Sequence, residues 1–222
     1  MNPTPLTPLI SVITPAFNAA KTIVRAYDSL LSQTFRDWEY IVVDDGSGDG
    51  TEGMVRQFHD ARVRKLTRIA NSGTGAALNA GARQATGRYL AFLDADDEFL
   101  PTHLAEHVEI MERDAGIDLM WGGVELVIKD ESQAWIPDLV RGLGLIHVSE
   151  CVVQGTIFVR RAVFDAVAYS EDRSIWYQDF DFVQRVRAAN YRVERFHSPT
   201  YRYYRNSGSS QIDRAKATWS GS

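Results

Sequence analysis

The chain has 222 residues, of which 45% are hydrophobic and 24% are charged, and it carries a formal net charge of −5. These values fit one soluble globular domain, and an acidic chain lacks the positive charge that neutralises a nucleic-acid backbone, so we expect no nucleic-acid partner. The single cysteine, Cys151, excludes an intrachain disulfide and a cysteine-based metal site.

The beginning of the sequence carries no targeting signal. Residues 1–8 contain neither the basic region nor the apolar stretch of a signal peptide. No run approaches the ~20 apolar residues that span a bilayer. We therefore expect a cytoplasmic protein without a transmembrane segment. Peripheral contact with the inner face of the membrane and a homodimer both remain compatible with the sequence.

The first half of the chain alternates between segments of strand type and helix type. Strands are predicted at residues 9–14, 38–43, 63–68 and 88–93. Helices are predicted at residues 21–33, 51–59 and 72–86 and after Pro101, with Thr51 as a helix cap and Gly87 as the residue that ends a helix. This alternation is typical of an α/β fold with a Rossmann-like, doubly wound and mostly parallel sheet.

The second half has a looser pattern. Strands are predicted at residues 118–128, 152–159 and 191–196, and helices at residues 161–167 and 176–189. No internal repeat or low-complexity linker separates the two halves. We therefore predict a single domain over residues 1–222, with halves at about 9–115 and 116–210 and a tail at 211–222.

Polar loops follow the first, second and fourth predicted strands. They are Pro15-Ala16-Phe17-Asn18, the segment from Asp44 to Gly50, and Asp94-Ala95-Asp96-Asp97. Ligands of open α/β sheets bind outside the carboxyl ends of the strands, so three such loops predict one binding site. The signatures of dinucleotide binding after the first strand and of a Walker-type phosphate loop are both missing.

The third of these loops has the chemistry of a cation site. Asp94, Asp96 and Asp97 repel one another unless a cation lies among them, and Mg²⁺ and Mn²⁺ take oxygen ligands that they share with substrate phosphates. Alternatively, the aspartates only cap the next helix, and the segment from Asp44 to Ser47 taken alone is typical of an ordinary turn. The convergence of three loops favours ligand binding.

Four segments follow one another in order along the first half. They are residues 13–18 (ITPAFN), 42–47 (VVDDGS), 71–87 (NSG, then AALNAGARQATG) and 93–97 (LDADD). Together they resemble the N-terminal signatures of family 2 glycosyltransferases with a GT-A fold. The resemblance extends from about residue 9 to residue 210.

The resemblance implies a nucleotide-sugar site in the first half and an acceptor site in the second. The donor-side residues that it implies are Thr14, Pro15, Ala16, Phe17, Asp44, Asp45, Arg68, Asn71, Asp94 and Asp96. Asp96 would be the metal carboxylate of the Asp-x-Asp motif, its neighbour Asp97 would be a second metal ligand, and the cofactor would be Mn²⁺ or Mg²⁺. Leu78 stands where many members carry an arginine, so one guanidinium contact is missing.

The segment Trp176-Tyr177-Gln178-Asp179-Phe180-Asp181 resembles the family's Glu-Asp-x-Asp signature, in which the first aspartate is the base. An inverting transfer needs a carboxylate that takes the proton of the attacking acceptor hydroxyl. The resemblance assigns this role to Asp179, while Gln178 replaces the usual glutamate. On local evidence alone, Asp179 and Asp181 equally favour a helix N-terminus through its dipole.

Two further segments are similar to acceptor-side and metal-side stretches of the family. Gly155 and Thr156 fall in the stretch that borders the acceptor pocket, and Trp176 and Gln178 are further candidates for contacting a carbohydrate or lipid-linked acceptor. Near the end of the chain, Asn206 stands where members often carry a metal-binding histidine. The resemblance therefore does not supply a histidine as a second protein ligand to the metal.

The resulting hypothesis is an inverting, metal-assisted transfer of a sugar from a UDP-sugar to a hydroxyl acceptor in cell-surface polysaccharide biosynthesis. One alternative is a sugar nucleotidyltransferase, which would need a glycine-rich loop with a basic residue after the first strand, and residues 15–20 supply none. The other alternative is a non-catalytic module that binds a nucleotide-sugar.

Overall fold

The computed structural model of the protein describes residues 7–138 and 144–205, without the side chains of residues 65, 66 and 68. In these ranges the strands are β1 (Ile10–Ala16), β2 (Trp38–Asp44), β3 (Val63–Arg68), β4 (Tyr89–Phe92), β5 (Glu98–Phe99), β6 (Leu119–Trp121), β7 (Val124–Val127), β8 (Trp135–Pro137), β9 (Leu145–His147), β10 (Phe158–Arg160), β11 (Val193–Arg195) and β12 (Tyr201–Tyr204). The helices are α1 (Ile23–Leu31), α2 (Thr51–Val55), α3 (Thr74–Ala82), α4 (His103–Arg113), α5 (Arg161–Val167) and α6 (Gln178–Ala188).

The central sheet has the strand order β11-β6-β10-β4-β1-β2-β3. β1 is parallel to both β2 and β4, and β2 is parallel to β3, whereas β10 runs antiparallel between β4 and β6. The predicted α/β fold with a mostly parallel sheet is therefore confirmed. The chain moves outward from β1 to β3 and then returns to the other side of β1 at β4, so the strand order reverses there, and ligands of such sheets bind at this point.

Helices cover both faces of the central sheet. Along β1 the buried side chains alternate: Val12 belongs to the apolar cluster that includes Ile23 and Leu104, and Ile13 belongs to the cluster that includes Leu78 and Phe182. Strands buried on both faces appear in the sequence as continuous apolar runs. This explains why β1, β2 and β4 could be predicted from the sequence.

Two smaller sheets complete the fold. β12 lies between β5, to which it is antiparallel, and β7, to which it is parallel. β8 and β9 form an antiparallel pair. The predicted strand at 118–128 is wrong as one element, because Gly122 and Gly123 adopt φ values of +108° and +78° and separate β6 from β7. A side chain at Gly123 would overlap the carbonyl oxygen of Ser198.

Two predicted helix ends are also wrong. α3 ends at Ala82, and Gly87 instead allows a close approach to β1, since a Cβ there would lie 2.6 Å from the backbone nitrogen of Ser11. Thr51 is the first residue of α2 and does not cap it. Its N–H donates to the Asp49 carboxylate, and its hydroxyl accepts the N–H of Ala19 over 2.8 Å.

The predicted strand at 152–159 is shorter in the structure. Residues Gln154–Thr156 form a 3₁₀ turn, and the strand that follows is β10. This turn projects over the carboxyl end of β4, because the side chain of Gln154 reaches Asp94 there. A turn at this place brings a polar side chain to the predicted site.

The buried histidines His103 and His107 are expected to make stability depend on pH. Burial lowers the pKa of His107 to about 4 and the pKa of His103 well below its ordinary value. The unfolded chain takes up these protons near pH ~6.5, so stability falls as the pH falls from there towards 4. Between pH 7 and pH 4.5, the free energy of unfolding of His107→Leu is expected to fall by about 2 kcal/mol less than that of the parent chain.

Urea unfolding at the two pH values measures this difference. The matched control is His59→Gln, since His59 is exposed and its replacement should leave the pH dependence as in the parent chain. An unchanged pH dependence in His107→Leu would contradict the prediction.

Candidate functional site

The loops after β1 and β2 are joined by hydrogen bonds, as expected for loops of one site. The backbone N–H of Asp45 donates to the carbonyl of Ala16 over 2.8 Å. The N–H of Asn18 donates to the Ser47 hydroxyl over 2.9 Å, and the Asn18 side chain accepts the N–H of Gly48. The two loops therefore form one continuous rim at the carboxyl ends of β1 and β2.

Asp45 fixes the loop that leads into α3. Its two carboxylate oxygens accept the N–H groups of Ser72 and Gly73 over 2.7 and 2.8 Å. Asn71, which precedes them, is exposed on the same rim. The structure thus brings two predicted donor-side residues together, and the side chain of Arg68 lies outside the described residues.

Thr14 and Asp44 have no exposed surface. The Thr14 hydroxyl accepts a hydrogen bond from the Tyr40 hydroxyl over 3.0 Å, and the Asp44 carboxylate accepts the N–H of Ser47 over 2.8 Å. Because both side chains are enclosed and engaged, we revise the prediction that they contact a nucleotide directly. They support the rim from below.

The turn after Thr14 exposes one large side chain. Ala16 is 1% exposed and Pro15 is half-buried, whereas Phe17 is 49% exposed. An exposed aromatic ring offers a face on which a planar base can stack. A nucleotide contact through Phe17 therefore fits the structure and stays a prediction.

A cavity of about 610 Å³ opens at the carboxyl end of β4. The carboxylates that line it include Asp94 and Asp96 from one loop and Asp179 from a distant part of the sequence. Gln154 and Tyr204 also line this cavity, and α6 and the β8–β9 pair form parts of its wall. Residues from the first and second halves of the chain therefore line one cavity.

Asp94 is held by side chains from two distant segments. Gln154 Nε2 donates to Asp94 Oδ1 over 2.6 Å, and the Tyr201 hydroxyl lies 3.3 Å from Asp94 Oδ2. Burial, and then the nearby charge of Asp96, raise the pKa of Asp94 to about 7. Asp94 therefore carries less negative charge near neutral pH than an ordinary aspartate does.

Asp97 is the carboxylate whose predicted role the structure does not support. It is fully buried, and its two oxygens accept the Tyr201 hydroxyl over 2.6 Å and the N–H of Tyr204 over 2.8 Å. Burial raises its pKa well above the ordinary value, and the charges of Asp96 and Asp94 raise it further. Since both oxygens accept hydrogen bonds and Asp97 does not line the cavity, we revise the prediction of a metal ligand. Asp97 anchors β12 beneath the loop.

Asp96 is the carboxylate of this loop that remains available. It is half-buried and lines the cavity, and no side chain in the described ranges donates a hydrogen bond to it. Burial raises its pKa, and the guanidinium of Arg25 opposes this rise. Arg25 also donates a hydrogen bond to the Asp96 backbone carbonyl, which fixes the loop.

Asp179 lies in the first turn of α6 and faces the same cavity. Its Oδ1 accepts the N–H of Phe180 over 2.8 Å. Burial raises the pKa of Asp179 to about 6, although hydrogen bonds from backbone N–H groups, including that of Gln154, oppose the rise. By contrast, Asp181 pairs with Arg185 over 2.8 Å one turn along the helix, so it stabilises α6.

The acceptor-side predictions divide into two groups. Thr156 is fully buried, donates to the carbonyl of Val153 and accepts the N–H of Gly122. Gly155 is also buried and packs against the ring of Tyr201. Neither residue lines the cavity, so we revise their predicted acceptor contacts to structural roles.

Trp176, Tyr177 and Gln178 do line the cavity, at the beginning of α6. The rings of Trp176 and Tyr177 are 48% and 42% exposed, so they can stack on a sugar ring. Gln178 accepts the N–H of Gly75 over 3.1 Å and thereby joins α6 to α3. Trp176 is therefore placed where it can contact an acceptor, as predicted. Gln178 mainly connects the two helices.

The family model described as Glycosyl transferase family 2 matches residues 11–208. The chain belongs to this family. This family 2 chain is 37% identical over 119 residues to the Escherichia coli UDP-Glc:alpha-D-GlcNAc-diphosphoundecaprenol beta-1,3-glucosyltransferase WfgD, covering 54% of the chain and 47% of that protein. It is 30% identical over 189 residues to the uncharacterized glycosyltransferase RP339 of Rickettsia prowazekii, covering 78% and 59%. The chain thus spans about half the length of these relatives.

Solved structures support the fold of this family 2 chain. S. aureus TarS 1-349 in complex with UDP-GlcNAc matches with a TM-score of 0.72 and 21% identity, covering 91% of the chain and 60% of that structure. The mannosyltransferase PcManGT from Pyrobaculum calidifontis, in complex with GDP-Man and Mn2+, also matches with a TM-score of 0.72 and 21% identity, covering 96% and 65%. At this identity, the likeness establishes a shared fold.

The sequence did not predict the contacts of Gln154, Tyr201 and Arg25 with the aspartate loop. Each acts on the aspartate loop from a distant position, and Gln154 and Tyr201 are 60 and 107 residues away from Asp94. A polar Gln154 within an otherwise apolar segment was the one available signal. Nothing in the local sequence around Tyr201 or Arg25 indicates these contacts.

The available side chains fit a hard divalent cation only with help from a substrate. Within residues 7–138 and 144–205, no group of three histidine, cysteine, aspartate or glutamate side chains assembles that could hold a metal ion. Mg²⁺ is commonly bound by one or two carboxylates together with substrate phosphates. Asp96, free and facing the cavity, fits this arrangement, while Asn206 lies outside the described residues.

None of the helices in the described part of this family 2 chain is both long and apolar enough to cross a bilayer.

Proposed function

We propose that this family 2 chain transfers a sugar, with inversion, from a nucleotide-diphosphate donor to a hydroxyl of a carbohydrate or lipid-linked acceptor. The observation that carries the proposal is the shared cavity. It combines a free carboxylate, Asp96, with a second carboxylate of raised pKa, Asp179, from the other half of the chain. Family membership and the missing glycine-rich loop after β1 favour sugar transfer over nucleotidyl transfer.

In this reaction the acceptor oxygen forms a bond to the anomeric carbon while the bond from that carbon to the diphosphate oxygen breaks. Asp179 receives the proton of the acceptor hydroxyl, and the leaving nucleoside diphosphate keeps the electron pair. Asp96 would hold a divalent cation, which offsets the negative charge that builds up on the leaving diphosphate. Gln154 keeps Asp94 in position beside this reaction centre.

The donor is proposed to be a UDP-sugar. WfgD, with 37% identity, is named for the use of UDP-Glc, and TarS has been solved with UDP-GlcNAc. PcManGT carries GDP-Man in the same fold, so the fold itself does not select the base. Incubating the chain with UDP- and GDP-sugars and Mn²⁺ and measuring nucleotide release tests the proposal. Tight binding of a nucleotide-sugar without any turnover would favour the non-catalytic module.

Replacing Asp96 with alanine is expected to remove metal-dependent donor binding. The half-buried carboxylate is the one in its loop that is free to bind a cation, because Asp97 is engaged by Tyr201 and Tyr204. Calorimetric titration of a UDP-sugar with and without Mn²⁺ measures the effect, and we expect Mn²⁺ to strengthen binding ~10-fold or more in the parent chain and not in Asp96→Ala. An equal effect of Mn²⁺ in both proteins would rule out Asp96 as the ligand.

A further inference from the structure

The wall of the cavity contains one positively charged side chain within the described residues, Arg187 of α6. The acidic side chains that line the cavity are Asp94, Asp96, Asp138, Glu150 and Asp179. An acidic cavity repels a phosphate-bearing ligand except where a cation faces it. The donor diphosphate is one anionic group, and a metal ion can hold it. Arg187 is the side chain in this wall that can bind a second anionic group.

Arg187 is also unpaired. Its side chain is exposed and makes no hydrogen bond, ion pair or ring contact with another residue in the described part of the chain. Other arginines near the cavity are engaged, since Arg195 pairs with Glu150 over 2.9 Å and Arg185 pairs with Asp181 over 2.8 Å. A guanidinium that is free of partners keeps its donors available for a planar, bidentate contact with phosphate.

The position of Arg187 along α6 relates it to the proposed base. Phe180, Gln184 and Arg187 follow at intervals of four and three residues, so they form one stripe of the helix, and all three line the cavity. Asp179 lies beside the beginning of this stripe. Eight residues of helix separate Asp179 from Arg187 by ~12 Å along the axis. A sugar whose hydroxyl is at Asp179 can therefore direct a phosphate on its far side towards Arg187.

The remaining wall suits the rest of such a ligand. Trp176 and Tyr177 offer exposed rings beside Asp179 for a sugar. The β8–β9 pair contributes Ile136, Pro137 and Ile146, which form an apolar surface for a hydrocarbon chain. Carboxylates, aromatic rings, a cation and an apolar surface thus line one cavity.

We propose that the acceptor of this chain is a saccharide that carries an anomeric phosphate or diphosphate, and that Arg187 binds this anionic group. The inference rests on the proposed transferase function and adds the chemical class of the acceptor. Arg187 contacts a part of the acceptor that does not react, so its loss should act on acceptor binding and leave the donor chemistry intact.

The test uses matched acceptors that differ in their anomeric group. For glucose, galactose, mannose and N-acetylglucosamine, the alkyl glycoside, the free sugar 1-phosphate and the alkyl-diphosphate-linked sugar are each offered with the donor that the chain hydrolyses. The parent chain is expected to use one of the phosphate-bearing forms with a kcat/KM at least ~10-fold above that of its alkyl glycoside. Equal use of the free 1-phosphate and the alkyl-diphosphate form indicates a water-soluble acceptor, and a preference for the latter indicates a lipid-linked one.

Arg187→Gln is expected to lower kcat/KM for the phosphate-bearing acceptor ~10–100-fold, mainly through KM. For the alkyl glycoside, which lacks the anionic group, kcat/KM should fall by a much smaller factor, and Arg187→Lys should recover part of the loss. Arg113→Gln is the matched control, because it removes the same charge from an exposed position near the end of α4. Equal kcat/KM for the charged and neutral acceptors, or no effect of Arg187→Gln, would overturn the inference.

Calorimetric binding of the same acceptors separates this inference from the proposed function. If no donor is hydrolysed or transferred, the transferase proposal fails, and the binding comparison still tests Arg187. Tighter binding of the phosphate-bearing forms to the parent chain than to Arg187→Gln supports the anionic site. Equal binding to both proteins rejects it.

Discussion

Replacing Asp179 with asparagine is expected to reduce the rate of sugar transfer ~10²–10⁴-fold, the usual contribution of a general base. The amide has nearly the shape of the carboxylate but cannot take the proton of the acceptor hydroxyl. Asp179 faces the cavity from the first turn of α6 and is not part of the β1–β2 rim. Binding of the UDP-sugar should therefore remain close to that of the parent chain, which calorimetry can measure alongside kcat.

The matched control is Asp181→Asn, two residues further along the same helix turn. It removes an equal charge near the same helix end and breaks the ion pair with Arg185, which also donates to the carbonyls of Val167 and Ala168. If Asp179 only stabilised the beginning of α6, both variants would lower stability and neither would affect the chemical step selectively. Full transfer activity in Asp179→Asn would exclude Asp179 as the base.

The pH dependence of transfer gives an independent check of the same assignment. Burial raises the pKa of Asp179 to about 6, and a general base acts in its deprotonated form. kcat/KM should therefore fall as the pH decreases below about 6 in the parent chain. A base with the ordinary aspartate pKa of ~3.9 would keep its activity well below that pH.

The sequence predicted best those parts of the fold whose signal is local. β1, β2 and β4 are buried on both faces, so their apolar runs are continuous, and the loops after them carry the motif residues. β5, β8, β9 and β12 were missed. They are two to four residues long and are defined by pairing with distant segments, which a window of sequence does not reveal.

The site predictions divide in the same way. Motif spacing located the segments that hold Asp96 and Asp179, but it could not tell which side chains of a segment face the cavity. Thr14, near the end of β1, and Asp97, in the loop after β4, lie in the correct segments but point into the protein, where the hydroxyls of Tyr40 and Tyr201 donate to them. The direction of a side chain depends on the tertiary neighbours that accept or donate its hydrogen bonds, and these neighbours lie far away in the sequence.

Gly155→Ala is expected to disturb both stability and the site, although Gly155 does not line the cavity. A Cβ at this position would overlap Cζ and the hydroxyl oxygen of Tyr201. Tyr201 cannot retreat easily, because its ring is fully buried beside Phe99 and His103. Its hydroxyl also donates to Asp97 over 2.6 Å, so a displaced ring leaves a buried carboxylate without its partner.

We expect the free energy of unfolding of Gly155→Ala to fall by ~2–4 kcal/mol, from overpacking together with the lost hydrogen bond. Gly53→Ala is the matched control, since nothing lies within 4 Å of a Cβ at that exposed position in α2. There the alanine should be neutral or slightly stabilising.

Adding Tyr201→Leu to Gly155→Ala should relieve the overlap, so that the double variant is less destabilised than the sum of the single variants. If the two substitutions lowered the free energy of unfolding additively, the Tyr201 ring would not be the reason for glycine at position 155. That result would also contradict a structural connection from the 154–156 turn through Tyr201 to the aspartate loop.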